Sequence, residues 1–423
     1  MALTKNPVTG MKDILPQEMA VRDYVIGLIK STYESFGYTP IETPVVESLG
    51  NLLSKQGGDN EKLIFKVLKR GEKLKIGEAK TEEDLSDSGL RYDLTVPLVR
   101  YFSAHSAQLP KPFKALQIGP VFRADRPQRG RFREFYQCDI DILGDGTNAA
   151  ETDLLLATST LMGRLGFEGF ILHINDRRIL KAMAAACGVA REDCDKAFII
   201  LDKMDKIGLD GVLGEMQESG FSCDCADTFR ALFAALSETG DKLSALETIL
   251  RAKCETVPEA NACEEIANLR SIIANVKAAA TVDFEIRFDP TLVRGMGYYT
   301  GPIFEIELAG LGSASGGGGR YDELVGKFTG QNVPACGISV GFERIITILT
   351  ENGFTVPGQR GKTAFLVEKG VSEEKMAEIR REAASLRESG RNVLVTVMNK
   401  NKKFQKDQLS QEGWTDFREF FAR

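Results

Sequence analysis

The chain has 423 residues, 43% of them hydrophobic and 27% charged, with a formal charge of −6. That length accommodates two or three domains with their own cores, and a composition without low-complexity tracts excludes extensive disorder. A net negative chain does not coat nucleic acid by bulk electrostatics, but charge is uneven: Pro357 to Arg423 holds 14 Lys and Arg against 10 Asp and Glu, leaving −10 for the remainder, so a polyanion meets the tail end more easily.

The first patterned run, GMKDILPQEMAVRDYVIGLIKSTYESFG, predicts a long helix. Pro16 suits a first turn, Val21, Val25, Leu28, Ile29 and Phe36 recur at helical spacing, and Gly37 stops it. YTPIETPVVES follows, where Pro40 and Pro44 confine a strand to an edge or a terminus. Amphipathicity does not distinguish packing on the chain's own sheet from packing on a second copy. After a polar, hairpin-like region comes LRYDLTVPLVRYFSAH. Asp93 with Thr95 either binds an amine through charge plus hydroxyl, or Asp93 caps the helix that runs from Leu94 to Phe102.

Leu116 to Phe122 reads as a strand and pairs with a second one reaching Asp141, giving an antiparallel hairpin with a long loop. Arg123, Arg126, Arg129, Arg131 and Arg133 all fall in that loop. Guanidinium groups match phosphate oxygens in fork geometry, so the loop reads as a triphosphate holder; a solvated charge cluster beside Asp125 and Glu134 is the competing reading. In the second strand Gln137, Asp139 and Asp141 share one face, opposite Tyr136, Cys138, Ile140 and Ile142, which makes one face polar and suited to line a site.

A helix is predicted over Ala149 to Leu165, then a mostly helical stretch from Asn175 to Ala280 rich in Ala, Asp and Lys. It reads as an insertion between two halves of one domain. Phe284, Ile286 and Phe288 alternate as a strand, as do Phe304, Ile306 and Leu308, and between them Arg294 lies among glycines next to Tyr298 and Tyr299. Such an arginine is ordinarily a solvated turn residue, but two adjacent aromatics fit that reading poorly. Gly316 to Gly319 allow close approach of backbone to a ligand, although the spacing is not that of a P-loop. Gly337 and Gly341 bracket a short strand, and Arg344 falls in the first turn of the next helix, where a cation opposes the helix dipole and asks for an anion. Beyond Pro357 a small unit begins: strand Thr363 to Glu368, a helix capped by Ser372, strand Asn392 to Met398, and a basic stretch with Lys400, Lys402, Lys403 and Lys406. Those lysines are either a nucleic-acid contact or a solvated helix face.

Eight cysteines without C-x-x-C spacing read as reduced thiols, and Cys223 and Cys225 with only His105 and His173 do not make a zinc centre. Neither histidine sits in a triad-like motif. With no signal-like segment and no apolar run of bilayer length, the expectation is a cytoplasmic protein with no membrane partner.

Several of these stretches resemble one family. FRADRPQRGRFREFYQCDID looks like motif 2 of class II aminoacyl-tRNA synthetases, in the form found in histidyl-tRNA synthetases. The long helix with YTPIETPVVES is similar to motif 1, the dimer-forming element, and GISVGFERI is similar to motif 3. The run from Arg294 to Tyr299 resembles the signature peptide peculiar to histidyl-tRNA synthetases, with Gly297 standing where the family commonly has an acid. LDKMDKIGLDGVLGEM is similar to the family's helical insertion, which covers the tRNA acceptor arm, and the unit after Pro357 resembles a shortened anticodon-binding domain.

The resemblance implies an α+β fold with a class II synthetase-type antiparallel sheet flanked by helices. It divides the chain into a first catalytic part at 1–174, the helical insertion at 175–280, a second catalytic part at 281–356 and the small α/β domain at 357–423. It further implies ATP-dependent activation of L-histidine with Mg2+ bridging phosphates, transfer to tRNA(His), and a homodimer. Arg123 and Arg294 are then the catalytic cations; Arg123, Asp125, Arg131 and Arg344 hold ATP, the last at the γ-phosphate. Asp93 and Thr95 receive the α-amine, Gln137 and Asp141 read the imidazole, Arg294 lies against the α-phosphate, and Tyr298 and Tyr299 flank the imidazole. No protein metal site is expected. The competing expectation is a synthetase-like protein that charges no tRNA, such as the regulatory subunit of ATP phosphoribosyltransferase, which the early end of the C-terminal unit keeps open.

Overall fold

A computed structural model describes residues 3–53, 58–128, 130–294, 297–308, 314–358 and 361–422. Its strands in chain order are β1 (Thr39–Ile41), β2 (Val46–Ser48), β3 (Lys66–Leu68), β4 (Ser86–Leu90), β5 (Phe113–Phe122), β6 (Glu134–Leu143), β7 (Ile171–Asp176), β8 (Glu285–Phe288), β9 (Pro302–Glu307), β10 (Ala314–Arg320), β11 (Ala335–Val340), β12 (Lys362–Val367), β13 (Asn392–Val397) and β14 (Asp416–Phe420). The chain separates into two compact units, one of Met1–Lys12 and Val25–Ile348, the other of Asp13–Tyr24 and Leu349–Arg423.

The larger unit is built on an eight-stranded sheet in the order β1-β5-β6-β11-β10-β9-β7-β8. Its six inner strands run antiparallel, and only the edge pairs β1/β5 and β7/β8 are parallel. The α+β architecture with a largely antiparallel sheet is therefore present. The short strand at Pro40 lies at the sheet edge, as its missing N–H requires. The helix Pro16–Ser35 starts on its proline, and Gly37, with φ +82°, turns the chain after it.

The β5–β6 hairpin is the backbone of the site. Ten residues of each strand pair, from Phe113 opposite Leu143 to Phe122 opposite Glu134. On β6, Cys138, Ile140 and Ile142 are buried in the core. A cluster of Leu98, Phe102, Phe113, Leu143, Tyr321 and Val325 packs behind the strands, and Tyr298 and Tyr299 lean on it. These apolar contacts fix the helices Thr95–His105 and Asp322–Thr329 against one sheet face, so residues from distant parts of the chain are held at a common height.

Asn175 and Asp176 still belong to β7, and the helical run starts at Arg177 and ends at Ala279. The glycine run forms strand β10, and Gly317 within it borders both of the cavities that open over the sheet. A Cβ on Gly317 would stand 2.5 Å from Phe304 O and 2.7 Å from Arg294 Cζ, so the glycines admit neighbouring backbone and one side chain. All eight cysteines are free. Among the described residues no helix is long and apolar enough to cross a membrane.

The smaller unit carries a three-stranded parallel sheet, β13-β12-β14. The helix Glu373–Glu388 is capped by Ser372 and buries Ile379 and Ala383 against Phe365, Val367 and Val393. The basic stretch is helical over Lys402–Gln411, where Lys402 and Lys406 both pair with Glu419, at 2.8 and 2.6 Å. Only Lys400 and Lys403 of that quartet are exposed.

Candidate active site

Two cavities open over the sheet in the larger unit and share a wall. The larger, about 290 Å³, is bordered by Arg123, Asp125, Arg131, Arg294, Glu343 and Arg344. The smaller, about 110 Å³, is bordered by Asp93, Thr95, Asp139, Asp141, Tyr298 and Tyr299. Arg123, Gln137, Arg294, Gly317 and Ser339 face both.

The larger cavity is cationic. Arg123 follows β5, and its Nε donates to Tyr92 O at 3.1 Å while its guanidinium lies over the rings of Tyr92 (4.3 Å) and Phe135 (5.1 Å). Stacked on two rings, the planar group is fixed before any ligand arrives. Arg344 is held below its ordinary pKa by burial and then by the Arg131 charge, with Arg294 adding to the effect. Charges that mutually disfavour ionisation attract a polyanion. Of the loop arginines, Arg133 instead fastens the loop itself, donating from Nε to Asp125 O at 3.0 Å, and Arg126 is exposed outside the cavity wall. Arg129, like Gly295 and Met296 of the tyrosine turn, lies outside the described residues.

Arg294 stands between the cavities. Among the described residues it is the one non-glycine with positive φ, +63°, a conformation that side-chain-bearing residues adopt only when surroundings enforce it. Its Nη1 donates to Glu305 Oε2 at 2.7 Å. Burial lowers its pKa, but Tyr299 and Glu305 outweigh that and hold it above the ordinary value.

The smaller cavity is anionic. Asp93, Asp139 and Asp141 are 2%, 4% and 3% exposed, so three carboxyl groups converge in a nearly dry space. Burial, reinforced by Asp93, pushes Asp139 up to about 7; burial and the Asp139 charge push Asp141 well above the carboxylate range. Such a pocket favours a proton or a cationic ligand. Asp93 lines the cavity while its Oδ1 accepts from Val96 N at 3.0 Å as a helix cap. Gln117 on β5 donates to Leu94 O at 3.1 Å and so fixes this corner. Gln137 Nε2 donates to both Asp139 oxygens (3.3 and 3.2 Å) and to Ser339 Oγ (3.2 Å), leaving its Oε1 toward Arg123 Nη2 at 3.4 Å. Tyr298 and Tyr299 stack obliquely at 4.9 Å, with Tyr321 edge-on to Tyr298 at 5.9 Å.

Every residue that the motif resemblance assigned to the site borders one cavity or both, whereas Arg126 and Arg133 of the arginine loop border neither. Strand alternation places Asp139 on the site-lining face beside Gln137 and Asp141, whereas Glu305, Tyr321, Ser339 and Glu343 were not singled out. Glu305 and Ser339 join through sheet pairing, and Tyr321 and Glu343 from the chain that follows β10 and β11. Tyr136, assigned to the opposite face, borders the larger cavity, where its backbone N donates to Glu343 Oε1 at 3.1 Å and its ring lies 5.8 Å from Phe342.

Residues 10–345 match the family model described as Histidyl-tRNA synthetase, a span that contains both cavities. The chain belongs to the histidyl-tRNA synthetase family. Among its histidyl-tRNA synthetase relatives, a histidine–tRNA ligase of Leifsonia xyli subsp. xyli is 44% identical over 357 residues, which cover 82% of this chain and 81% of that protein. The crystal structure of histidyl-tRNA synthetase from Nostoc sp. PCC 7120 is similar with TM-score 0.77 at 26% identity, over 97% of this chain and 90% of that one. A Bacillus halodurans C protein described as an ATP phosphoribosyltransferase regulatory subunit/histidyl-tRNA synthetase is similar with TM-score 0.75 at 20% identity over the whole of both chains, a likeness of fold alone.

Proposed function

We propose that this protein is a histidine–tRNA ligase, which activates L-histidine with ATP and transfers it to tRNA(His). The observation that carries the reading is the adjacency of a cationic and an anionic cavity joined at Arg123 and Arg294. ATP takes the cationic space, its phosphates among Arg123, Arg131, Arg294 and Arg344, with Asp125 near its rim. Histidine takes the anionic one, its ammonium at Asp93 and Thr95 and its imidazole between Gln137, Asp141 and the two tyrosines.

In that arrangement a histidine carboxylate oxygen attacks the α-phosphorus, the bond to the β-phosphate oxygen breaks, and pyrophosphate leaves with the electron pair. The 3′-terminal hydroxyl of the tRNA then attacks the acyl carbon, loses its proton, and AMP departs. No protein nucleophile is needed, because positioning and fixed cations at the phosphoryl oxygens lower the barrier. Mg2+ supplies further charge neutralisation when it arrives with ATP. Asp125 and Glu343 are carboxylates on the wall of that cavity, and among the described residues there is no group of three or more side chains suited to caging a metal, so phosphate oxygens and water would provide most of its ligands.

We further propose the four-part organisation expected above, a homodimer formed through the long helix and its edge strand, and residence in the cytoplasm. The test is histidine-dependent exchange of pyrophosphate into ATP, followed by charging of total tRNA. Absence of exchange in pure protein, with stimulation of an ATP phosphoribosyltransferase, would replace this reading with the regulatory one.

A further inference from the structure

The loop that carries Arg294 is gripped at three points by the junction of β7 and the helix Arg177–Ala186. Asn175, fully buried, donates from Nδ2 to Leu292 O at 3.1 Å while its Oδ1 accepts from Asp176 N at 2.8 Å, so both ends of its amide are engaged. Arg177 N donates to Gly301 O at 2.9 Å, on the far side of the loop. The Arg177 guanidinium, on a side chain 7% exposed, points back to Val293 O at 3.5 Å, the residue immediately before Arg294. That guanidinium is itself seated on the first helix that follows, 4.7 Å from the Phe198 ring and 3.3 Å from Asp195 Oδ1.

We infer that Asn175 and Arg177 are positioning residues, whose side chains hold the chain at Leu292 and Val293, keep Arg294 in its left-handed conformation between the cavities, and tie it to the helical segment. The inference rests on the functional reading given above. Neither side chain borders either cavity, so each acts through Arg294. A left-handed arginine relaxes into ordinary backbone geometry once its neighbours are released, and a shift of its guanidinium by an ångström is enough to misplace transition-state charge stabilisation. Buried side chains satisfied by backbone of one particular loop also specify that loop's path more tightly than apolar packing does.

The experiment compares wild type with Arg177→Ala, Arg177→Lys and Asn175→Ala. Histidine-dependent pyrophosphate exchange is measured per competent site, counted from the burst of ATP consumption, alongside amide hydrogen exchange. The inference expects kcat per site to fall roughly 10- to 100-fold in both alanine variants with KM for ATP and histidine changed by less than about threefold, and Arg177→Lys to recover part of the loss. It also expects faster hydrogen exchange in peptides carrying Leu292 to Arg294 while peptides of the β5–β6 hairpin stay protected. Unchanged kcat per site with only a lowered melting temperature overturns it, as does a loosened loop without loss of rate. Should Arg177→Ala fail to fold, Arg177→Lys and Asn175→Ala decide. If wild type shows no histidine-dependent exchange, the functional reading fails, and the hydrogen-exchange pattern alone decides whether these residues hold the loop.

Discussion

Tyr321 donates its hydroxyl to Asp141 Oδ1 at 2.6 Å, across a sheet that leaves room for the pair only because position 337 is glycine. A Cβ there would lie 1.8 Å from the same oxygen. The pair closes the floor of the anionic cavity, with both groups buried.

Tyr321→Phe removes one hydrogen bond to a buried carboxyl group without changing its shape. A bond to a carboxyl group that burial holds neutral contributes about 0.5–1.5 kcal/mol, so KM for histidine in pyrophosphate exchange should rise roughly two- to tenfold while KM for ATP holds. A change confined to ATP would remove Asp141 from the amino-acid pocket.

Asp139 makes stability depend on pH. Its folded-state pKa of about 7 lies above the ordinary 3.8, so the folded protein binds more protons than the unfolded chain between those values. Its contribution is therefore fully present below pH 3.8 and is lost as pH rises toward 7, with a slope of up to about 1.4 kcal/mol per pH unit. Urea unfolding of the ligand-free protein from pH 4 to 8 should show a steeper decline in wild type than in Asp139→Asn; parallel curves would contradict the assignment.

Arg294→Ala removes a fixed cation aimed at the shared wall of the two cavities. If it acts on charge that develops in the transition state, kcat for adenylate formation falls roughly 100- to 1,000-fold, with a much smaller change in KM for ATP. Exchange and charging rates within a few fold of wild type would refute that role.

Glu151 and Arg320 form a buried two-point ion pair, Oε1 to Nε at 2.6 Å and Oε2 to Nη2 at 2.8 Å, and the arginine also donates to Asp145 O and Thr147 O. Glu151→Ala removes two charge-assisted bonds but leaves the buried Arg320 paired with Asp322 Oδ1 at 3.1 Å, and should cost about 1.5–3 kcal/mol in denaturant unfolding. Because Arg320 adjoins Tyr321, histidine binding should weaken as well. A loss under about 1 kcal/mol would show that solvent reaches the pair.

What could be read along the chain was whatever repeats locally. The two-residue period of β6 placed Gln137, Asp139 and Asp141 on one face, the prolines sent β1 to an edge, and the motif resemblance selected Asp93, Thr95, Arg123, Arg294 and Arg344. Local signals left open whether the glycine run is loop or strand, because glycines that admit a ligand and glycines that admit a neighbouring strand have the same composition. They also treated five arginines as one phosphate loop, whereas Arg133 spends its donors on Asp125 O and Arg126 faces solvent.

By itself the sequence determined the alternation of strand and helix, the signs of charge at each motif, and the membership of the family. Only the tertiary structure decided that β11 and β10 bring Ser339, Gly337 and Gly317 against β6 and Arg294, that Tyr321 reaches Asp141, and that Asn175 and Arg177 grip the loop before Arg294. Those relationships depend on pairing register and core packing between segments up to about two hundred residues apart, and no local period encodes a partner at that distance.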